Sequence, residues 1–520
     1  MVINDYYKVY KSGGLIISQK MRLKTRFYEI EAEKPIVILN DEDAKDLGVF
    51  VSSRVKIKYN KHEITAIVDI TETLVGEGEI GLLKDIHDLI KVEDDEFVEV
   101  ESARRPASVD FIKKKLDGKT LNEYEIYSII YDITNNNLSS IELSAFVTGG
   151  YINKYTVEEI VSLTTSMVKT GKQIDFGDDV VDKHCIGGVA GNRTTMVVVP
   201  IVAAAGLTIP KSSSRAITSP SGTADTMEVL SDVQFSIGEV KDIVTSTNAC
   251  IIWGGAVNLA PADDKIIRVE YPLSLDAEGH LLSSVMAKKM AIGSDYVLID
   301  IPVGKGSKIP QSMRARELAS RFIEIGKRLG ISVECLITDG SSPIGAGIGP
   351  ALEARDVLNV LENRGPVDLM NKSLDLAGTL LELSKKVDKG KGRKVAEDIL
   401  SSGKALAKMK EIIEAQGGDP NIGPEDVDVA EKQYIVTSKH KGKVRFIDNK
   451  SISAIARAAG APRIKSSGIY MHVGVGDSVK LDDPLFTIYA ADERKMNDSV
   501  KVNEKLIPIH VGSVISDIIT

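Results

Sequence analysis

From Val180 to about Gly423, short apolar runs alternate with helical segments, and this alternation limits the possible folds more than any other feature of the chain. The strand candidates are Val180 and Val181, LTIP, ACIIWGG, YVLIDIPVG and VECLIT; helices are expected at residues 194–205, 223–230 and 312–329. Strands alternating with helices imply a mostly parallel sheet with helices packed on it. In such a sheet consecutive strand-to-helix loops converge at the carboxyl edge, where ligands bind. A helical interruption at residues 278–292 is expected to return to a separate bundle. The basic run KKVDKGKGRK (385–394) reads as a solvated connection.

The flanks have a different texture. Up to about Ser102 the chain reads as short strands (RFYEIEA, KPIVILN, VKIKYN, EITAIVDI, EFVEVES) interrupted by one short helix beginning DEDAKDLG. From Ser108 to Gly171 it is helical. Thr120 with Glu123, Ser139 with Glu142 and Thr156 with Glu159 each have capping-box spacing, in which a hydroxyl accepts from a helical N–H and the carboxylate reaches back. Gly171 stops the last helix. After Gly417 strands return as KQYIVTS, GKVRFID, IYMHVG and PLFTIYA. The expected fold class is therefore multidomain α/β. A β-rich module (1–103) precedes a helical bundle (104–179, joined by 259–292). A mostly parallel α/β domain (180–430) and an α+β module (431–520) follow.

Composition excludes several classes. Sixty-five Lys and Arg against 74 Asp and Glu leave a net charge of -9 without long charge blocks, so neither nucleic acid nor an anionic membrane is an expected partner. The three cysteines (Cys185, Cys250, Cys335) are far apart and fit a reducing cytoplasm, not a disulfide framework or a thiolate zinc site. The longest apolar stretch, Met196 to Leu207, is far short of the ~20 residues that span a bilayer. MVINDYYKVYKSGG lacks the apolar core of a signal peptide. His62, His87, His440, His472 and His510 show no ligand spacing, so no metal is expected, and Trp253 is expected in the core.

Three stretches carry chemistry. The first runs from Asp182 to Thr194 (DKHCIGGVAGNRT) and links a strand to a helix. Backbone N–H groups and the helix dipole there favour an anion, and Gly187, Gly188 and Gly191 permit close backbone approach. Its spacing matches neither a Walker loop nor a dinucleotide fingerprint. A glycine-rich turn without a ligand is the alternative. The second stretch runs from Pro210 to Asp225 (PKSSSRAITSPSGTAD). Its hydroxyls either face solvent or wrap a ligand rich in acceptors, such as phosphate and ribose. In the third, Asp276, His280, Ser284 and Lys288 recur every four residues, which places them on one helix face. Asp276 as an N-cap, with His280 and Lys288 on the solvated surface, is the plainer reading. GAGIGP at residues 345–350 suggests a structural turn with Pro350 at a helix start.

DKHCIGGVAGNRT resembles the DKHSTGG-type signature of the thymidine and pyrimidine-nucleoside phosphorylases, and SSSRAITSPSGTADTMEVL resembles the family's second, phosphate-binding loop. SSRAITS, GTAD, PLSLD and IIEAQGGDPNI are similar to the archaeal AMP phosphorylase branch, as is the extra β-rich module. The resemblance implies that AMP, or CMP or UMP, reacts with inorganic phosphate to give free base and ribose 1,5-bisphosphate. It implies no metal or organic cofactor, and a cytoplasmic homo-oligomer, at least a dimer. Carried over residue by residue, Gly188, Ser214, Arg215, Ala216, Ile217, Thr218, Ser219 and Thr223 contact AMP, and Asp276 donates a proton. Ser284 and Lys308 complete the nucleotide site. Lys183, His184, Ser213 and Arg215 align with phosphate-side loops; Arg268, Ser284 and Lys288 align with the pyrimidine-binding trio. Acid catalysis needs a protonated Asp276, so burial beside an apolar helix face and nearby phosphate charge are expected to raise its pKa. Residues before about Lys24 have no counterpart in the resemblance and read as an extension.

Two departures stand out. Cys185 stands where the signature has Ser, which weakens any claim that this position supplies a phosphate-binding hydroxyl. Arg-Ala-Ile-Thr-Ser replaces a glycine-rich loop with a conspicuous His, which favours a nucleotide over a nucleoside. The rival readings are a pyrimidine-nucleoside phosphorylase, a Mg²⁺-dependent phosphoribosyltransferase related to the anthranilate enzyme, and an inactive scaffold with a partner-binding β module.

Overall fold

The computed structural model describes residues 20–32, 34–216 and 219–512. The chain divides into two compact units, residues 1–154 with 265–277 and residues 155–264 with 278–520.

In the first unit a closed six-stranded barrel holds β1 (Lys20–Tyr28), β2 (Ile36–Asn40), β3 (Arg54–Tyr59), β4 (His62–Thr71), β5 (Glu79–Leu83) and β6 (Phe97–Ser102). Their order is β1-β5-β2-β4-β3-β6, closed by the antiparallel β1 and β6 pair. Alternate side chains such as Leu23, Val37, Leu39, Val55, Ile57 and Val68 fill the interior. The short helices α1 (Asp41–Leu47) and α2 (Lys84–Ile90) bridge strands. The β5 to α2 segment has no counterpart among the expected strands and helices. β1 starts four residues before Lys24, inside the expected extension.

Three helices follow the barrel: α3 (Ser108–Leu116), α4 (Glu123–Thr134) and α5 (Ser140–Ile152). The capping box at Ser139 with Glu142 forms as expected. The first box does not use Thr120 and Glu123; Asn122 caps α4 with Glu125, since an amide oxygen two residues on serves as well as a hydroxyl. Arg54, nearly buried, donates to the Asn137 carbonyl at 2.8 Å and pairs with Glu142, which joins the barrel to α5.

The second unit starts with α6 (Val157–Thr170), capped by Thr156 with Glu159 and ended at Gly171. Next come β7 (Val181–Cys185), α7 (Thr194–Ala204), β8 (Ile209–Ser213), α8 (Thr223–Met227), α9 (Ile237–Thr247) and β9 (Ala249–Trp253). α10 (Pro261–Leu273) crosses from this unit into the first, and α11 (Glu278–Ala291) returns. β10 (Tyr296–Val303), α12 (Ser312–Leu329) and β11 (Ser332–Asp339) complete the parallel strands. β11, β10 and β7 pair in parallel, β8 and β9 pair in parallel, and a parallel bridge from Val180 to Thr208 continues the row. The order β11-β10-β7-β8-β9 reverses direction at β7, which opens a crevice at the carboxyl edge. The apolar run that begins at Met196 forms α7, buried along its length.

The remaining elements are β12 (Gly347–Ile348), α13 (Pro350–Leu361), α14 (Val367–Leu383), α15 (Gly392–Ser401) and α16 (Lys404–Ala415). The C-terminal block holds β13 (Lys432–Thr437), β14 (Gly442–Ile447), α17 (Asn449–Ala458), β15 (Gly468–Met471) and β16 (Ser478–Val479). It ends with β17 (Pro484–Ala490), α18 (Glu493–Leu506) and β18 (Ile509–Gly512). Residues 385–391 are a largely exposed connection, but the last three residues of the expected loop, 392–394, begin α15 with Gly392 buried. Pro350 occupies the first turn of α13 as expected. No helix among the described residues is long and apolar enough to cross a membrane.

Gln416, fully buried after α16, acts as a surrogate strand on β9. Its Oε1 accepts from the Ile251 N–H at 2.8 Å, and its Nε2 donates to the Ile251 and Asp232 carbonyls at 3.0 and 2.8 Å. Replacing Gln416 by Leu would orphan these backbone groups. Gln416→Leu is expected to destabilise the protein by about 3 kcal/mol, read as a shift in the denaturant midpoint.

Candidate functional site

A cavity of about 260 Å³ opens at the carboxyl edge of β7, β8 and β9. Its wall contains the glycine-rich loop after β7, the hydroxyl-rich loop after β8, Trp253 to Gly255 after β9, and Lys288 and Lys289 from α11. The chain brings these segments together because β7 and β8 are parallel neighbours and α11 packs on α6 beside them.

Backbone geometry explains the glycines. Gly187, Gly188 and Gly191 all have positive φ (93°, 89° and 70°), where a side chain is strained. A Cβ on Gly188 would lie 2.3 Å from the Lys308 backbone nitrogen, and one on Gly191 would lie 2.2 Å from the Ile344 carbonyl oxygen. Those two let neighbouring loops close on the glycine loop. Gly187 and Gly188 both line the cavity, and Gly187 alone of the three has open space at its Cβ position.

Cations dominate the wall. Asp182, with no exposed surface, pairs with Lys289 at 2.5 Å and with Lys211 at 3.3 Å. Burial alone would raise the Asp182 carboxyl; the two lysines override it and hold it below the usual range. Burial pushes Lys289 down, and Lys211 adds to the effect against the pull of Asp182. Lys183 is buried and donates to the hydroxyls of Thr194 and Thr195 at 2.9 and 3.3 Å. Burial and the surrounding lysines push His184 well below its ordinary value, so its imidazole is neutral and has one N–H to donate. Burial lifts the Cys185 thiol to about 11, which makes it a neutral wall group with the Asn192 amide at 3.3 Å.

Hydroxyls complete the surface. The Ser212 and Ser213 Oγ atoms are buried and have no hydrogen-bond partner among the described residues. Thr223 is fixed by Arg193, which donates to its hydroxyl and to the Ser221 carbonyl, each at 3.0 Å, and pairs with Glu353 at 2.5 Å.

Among the expected site residues, Gly188, Ser214, Ser219 and Thr223 line this cavity, as do Lys183, His184, Ser213 and Lys288. Ile217 and Thr218 lie outside the described residues. The Arg215 guanidinium is held by Glu228 with two contacts of 2.6 Å and sits 5.0 Å from the Trp253 ring centroid; Ala216 is tied by its N–H to Asp225 at 2.7 Å. Trp253, expected in the core, is half-buried: it packs against the core and also lines the cavity wall. Lys308 meets Gly188 through its backbone, and its side chain is exposed.

The stripe at spacing four divides. His280 is buried and pairs with the Tyr155 hydroxyl at 3.1 Å, whereas Ser284 and Lys288 both reach Asp263 at 2.8 Å. Burial disfavours the Lys288 charge, but Asp263 more than restores it. Arg268 and Asp276 belong to the first unit. Asp276 is exposed, two residues before α11, so it is neither that helix's N-cap nor buried beside an apolar face as expected.

Lys211, Lys289, Asp182, Asp263 and Arg193 were not singled out by spacing. Lys211 sits beside the serine run and Lys289 beside Lys288, but neither position carries a signal that separates a wall cation from a surface one.

Residues 177–406 match the glycosyl transferase family a/b domain, 109–171 match its helical bundle domain, and 443–510 match the pyrimidine nucleoside phosphorylase C-terminal domain. Anthranilate phosphoribosyltransferase from Thermus thermophilus shares the fold, with a TM-score of 0.52 and 16% identity over 59% of this chain and 99% of that one. The parallel sheet, the helical bundle and the cationic carboxyl-edge cavity thus define a glycosyl transferase. The AMP phosphorylase of Thermococcus kodakarensis is 49% identical over 95% of this chain and 99% of its own. AMP phosphorylase of Pyrococcus furiosus is 48% identical over 96% and 99%, and AMP phosphorylase 1 of Archaeoglobus fulgidus is 49% identical over 93% and 96%. The chain belongs to the AMP phosphorylase family.

Asp182 is what permits Lys211 and Lys289 to be charged in the wall. Asp182→Asn is expected to cost about 3 to 5 kcal/mol at neutral pH, measured by denaturant unfolding. The deficit should shrink as pH rises, when Lys289 sheds its proton. It should also shrink in acid, because a carboxyl held low contributes stability above its unfolded pKa and loses it as pH falls.

Proposed function

We propose that this protein cleaves AMP by phosphorolysis, with CMP and UMP as further substrates, yielding free base and ribose 1,5-bisphosphate. The observation that carries the reading is the cavity wall, where Lys183, Lys211, Lys288 and Lys289 meet two rows of hydroxyls in a chain whose relatives are named AMP phosphorylases.

The reaction needs an anionic nucleophile held against the anomeric carbon while positive charge develops on the sugar. A phosphate oxygen bonds to that carbon as the glycosidic bond breaks. The bond pair leaves on the base nitrogen, which takes a proton. Buried and partly buried lysines in the wall hold and orient phosphate, and positioning of the two reactants supplies much of the rate. Neutral His184 and the Ser212 and Ser213 hydroxyls donate to phosphate oxygens. Gly188, the run from Ser214 to Ser219, Thr223, Ser284 and Lys308 are assigned to AMP, and Asp276 to the proton. The Asp276 carboxyl is exposed in this structure. The protein is assigned to the cytoplasm as a homo-oligomer, at least a dimer, and the net charge of -9 supports neither nucleic acid nor membrane as partner.

Chromatography of AMP incubations with and without inorganic phosphate tests the reaction. Adenine is expected only with phosphate, and little base from adenosine or uridine; phosphate-independent release would instead make the protein a hydrolase. Asp276→Asn should retain AMP binding and lose at least about 100-fold in turnover. An unchanged rate would remove Asp276 from the acid role.

A further inference from the structure

Behind the cavity wall lies a second layer of charge that the reaction above does not use. The two partners of Lys183, Thr194 and Thr195, are neutral. The carboxylate that faces Lys183 is Asp300 of β10, with Oδ2 at 3.9 Å from Nζ. Asp300 has no exposed surface, and its Oδ1 accepts from the Thr338 hydroxyl of β11 at 2.6 Å. The same Oδ2 lies 3.2 Å from Nζ of Lys372 on α14. Neither of these two atoms has a hydrogen-bond partner among the described residues, so charge attraction is what they share. Lys372 and Thr338 line a separate cavity of about 360 Å³, with no lining residue in common with the first.

Two cations thus divide one buried carboxylate, just as Lys211 and Lys289 divide Asp182. Four buried or nearly buried lysines face two aspartates, and uncompensated charge out of water is costly. A dianion in the cavity would restore the balance. We propose that Asp300 is a positioning residue that keeps Lys183 charged and aimed at phosphate, and that Lys372 weakens this hold by competing for the same carboxylate. The inference deepens the phosphate-binding reading and rests on it.

The groups that face Lys183 act in opposite senses. Burial disfavours its charge; Asp300 supports it, and Lys372 and Arg193 oppose it, while Cys185 adds support only once its thiol ionises, at a pH of about 11. Removing the Asp300 charge should make Lys183 lose its proton at lower pH, so phosphate binding fails at lower pH. Removing the Lys372 charge leaves the carboxylate to Lys183 alone, so binding should persist to higher pH. A purely structural defect would not move the two limits in opposite directions.

The single tryptophan of the chain, Trp253, lines the cavity, so its fluorescence can follow phosphate without turnover. Inorganic phosphate is titrated into wild type, Asp300→Asn and Lys372→Met across the neutral to alkaline range. In Asp300→Asn the alkaline limit of binding should fall by about one unit and the affinity near pH 8 should drop about tenfold, while Lys372→Met should raise the limit. Limits that stay at the wild-type value in correctly folded variants, or that move the same way, overturn the proposal. If Asp300→Asn does not fold, Lys372→Met decides alone: a raised limit supports the proposal, and an unchanged or lowered one overturns it. Opposed shifts in a protein that does not cleave AMP would keep the relay and discard phosphorolysis. AMP cleavage with unmoved limits would do the reverse, and absence of phosphate binding in wild type would overturn both.

Discussion

The site depends on the contact of Asp182 with Lys211 and Lys289. One wholly buried carboxylate from β7 receives a lysine from the adjacent strand β8 and another from α11. Taking these charges out of water is unfavourable, and only their mutual attraction in good geometry offsets the cost. The contact therefore fixes which way α11 faces the sheet, and with it the position of Lys288 and its partner Asp263. A hydrophobic trio would pack as well there, but it would remove Lys211 and Lys289 from the cations at the carboxyl edge.

One neutral side chain and one buried ion pair set the loops around that cluster. Asn449, at the start of α17 in the C-terminal block, accepts from the Ala190 N–H at 3.0 Å and donates to the Gly340 carbonyl at 3.1 Å. It clasps the glycine loop to the segment after β11. Arg193 performs the same task between the glycine loop, the serine loop and Glu353 of α13. Both side chains are nearly or fully buried, and each satisfies backbone or hydroxyl groups that would otherwise lack partners. The Thr223 hydroxyl and the Ser221 carbonyl of the second loop are therefore held by a residue of the first loop.

Much of the fold was legible because its signals are local. Alternating apolar runs marked β9, β10 and β11, and capping residues marked α5 and α6 to the residue. The box at α4 slipped because Asn122 competes with Thr120 for the same role. β5 was missed because EIGLL is short, has a glycine at its centre and runs directly into a helix. The glycine and serine loops were legible as loops that meet at the carboxyl edge, because each lies between a parallel strand and a helix, and both line the cavity there. The role of each glycine was not: Gly188 and Gly191 serve loop packing, and only the neighbouring backbones of Lys308 and Ile344 reveal it.

The sequence by itself determined the order of helices and strands, the parallel sense of the central sheet and the two loops that line the cavity. These follow from periodicity, caps and turn chemistry, which act over a few residues. Only the tertiary structure decided which charges face one another. Arg215 reads as a phosphate ligand but is neutralised by Glu228, while Lys211 and Lys289 look like ordinary lysines but stand in the wall against Asp182. Charge pairing depends on distance through space and on burial, and neither can be read from spacing along a chain that returns to one sheet edge from positions a hundred residues apart.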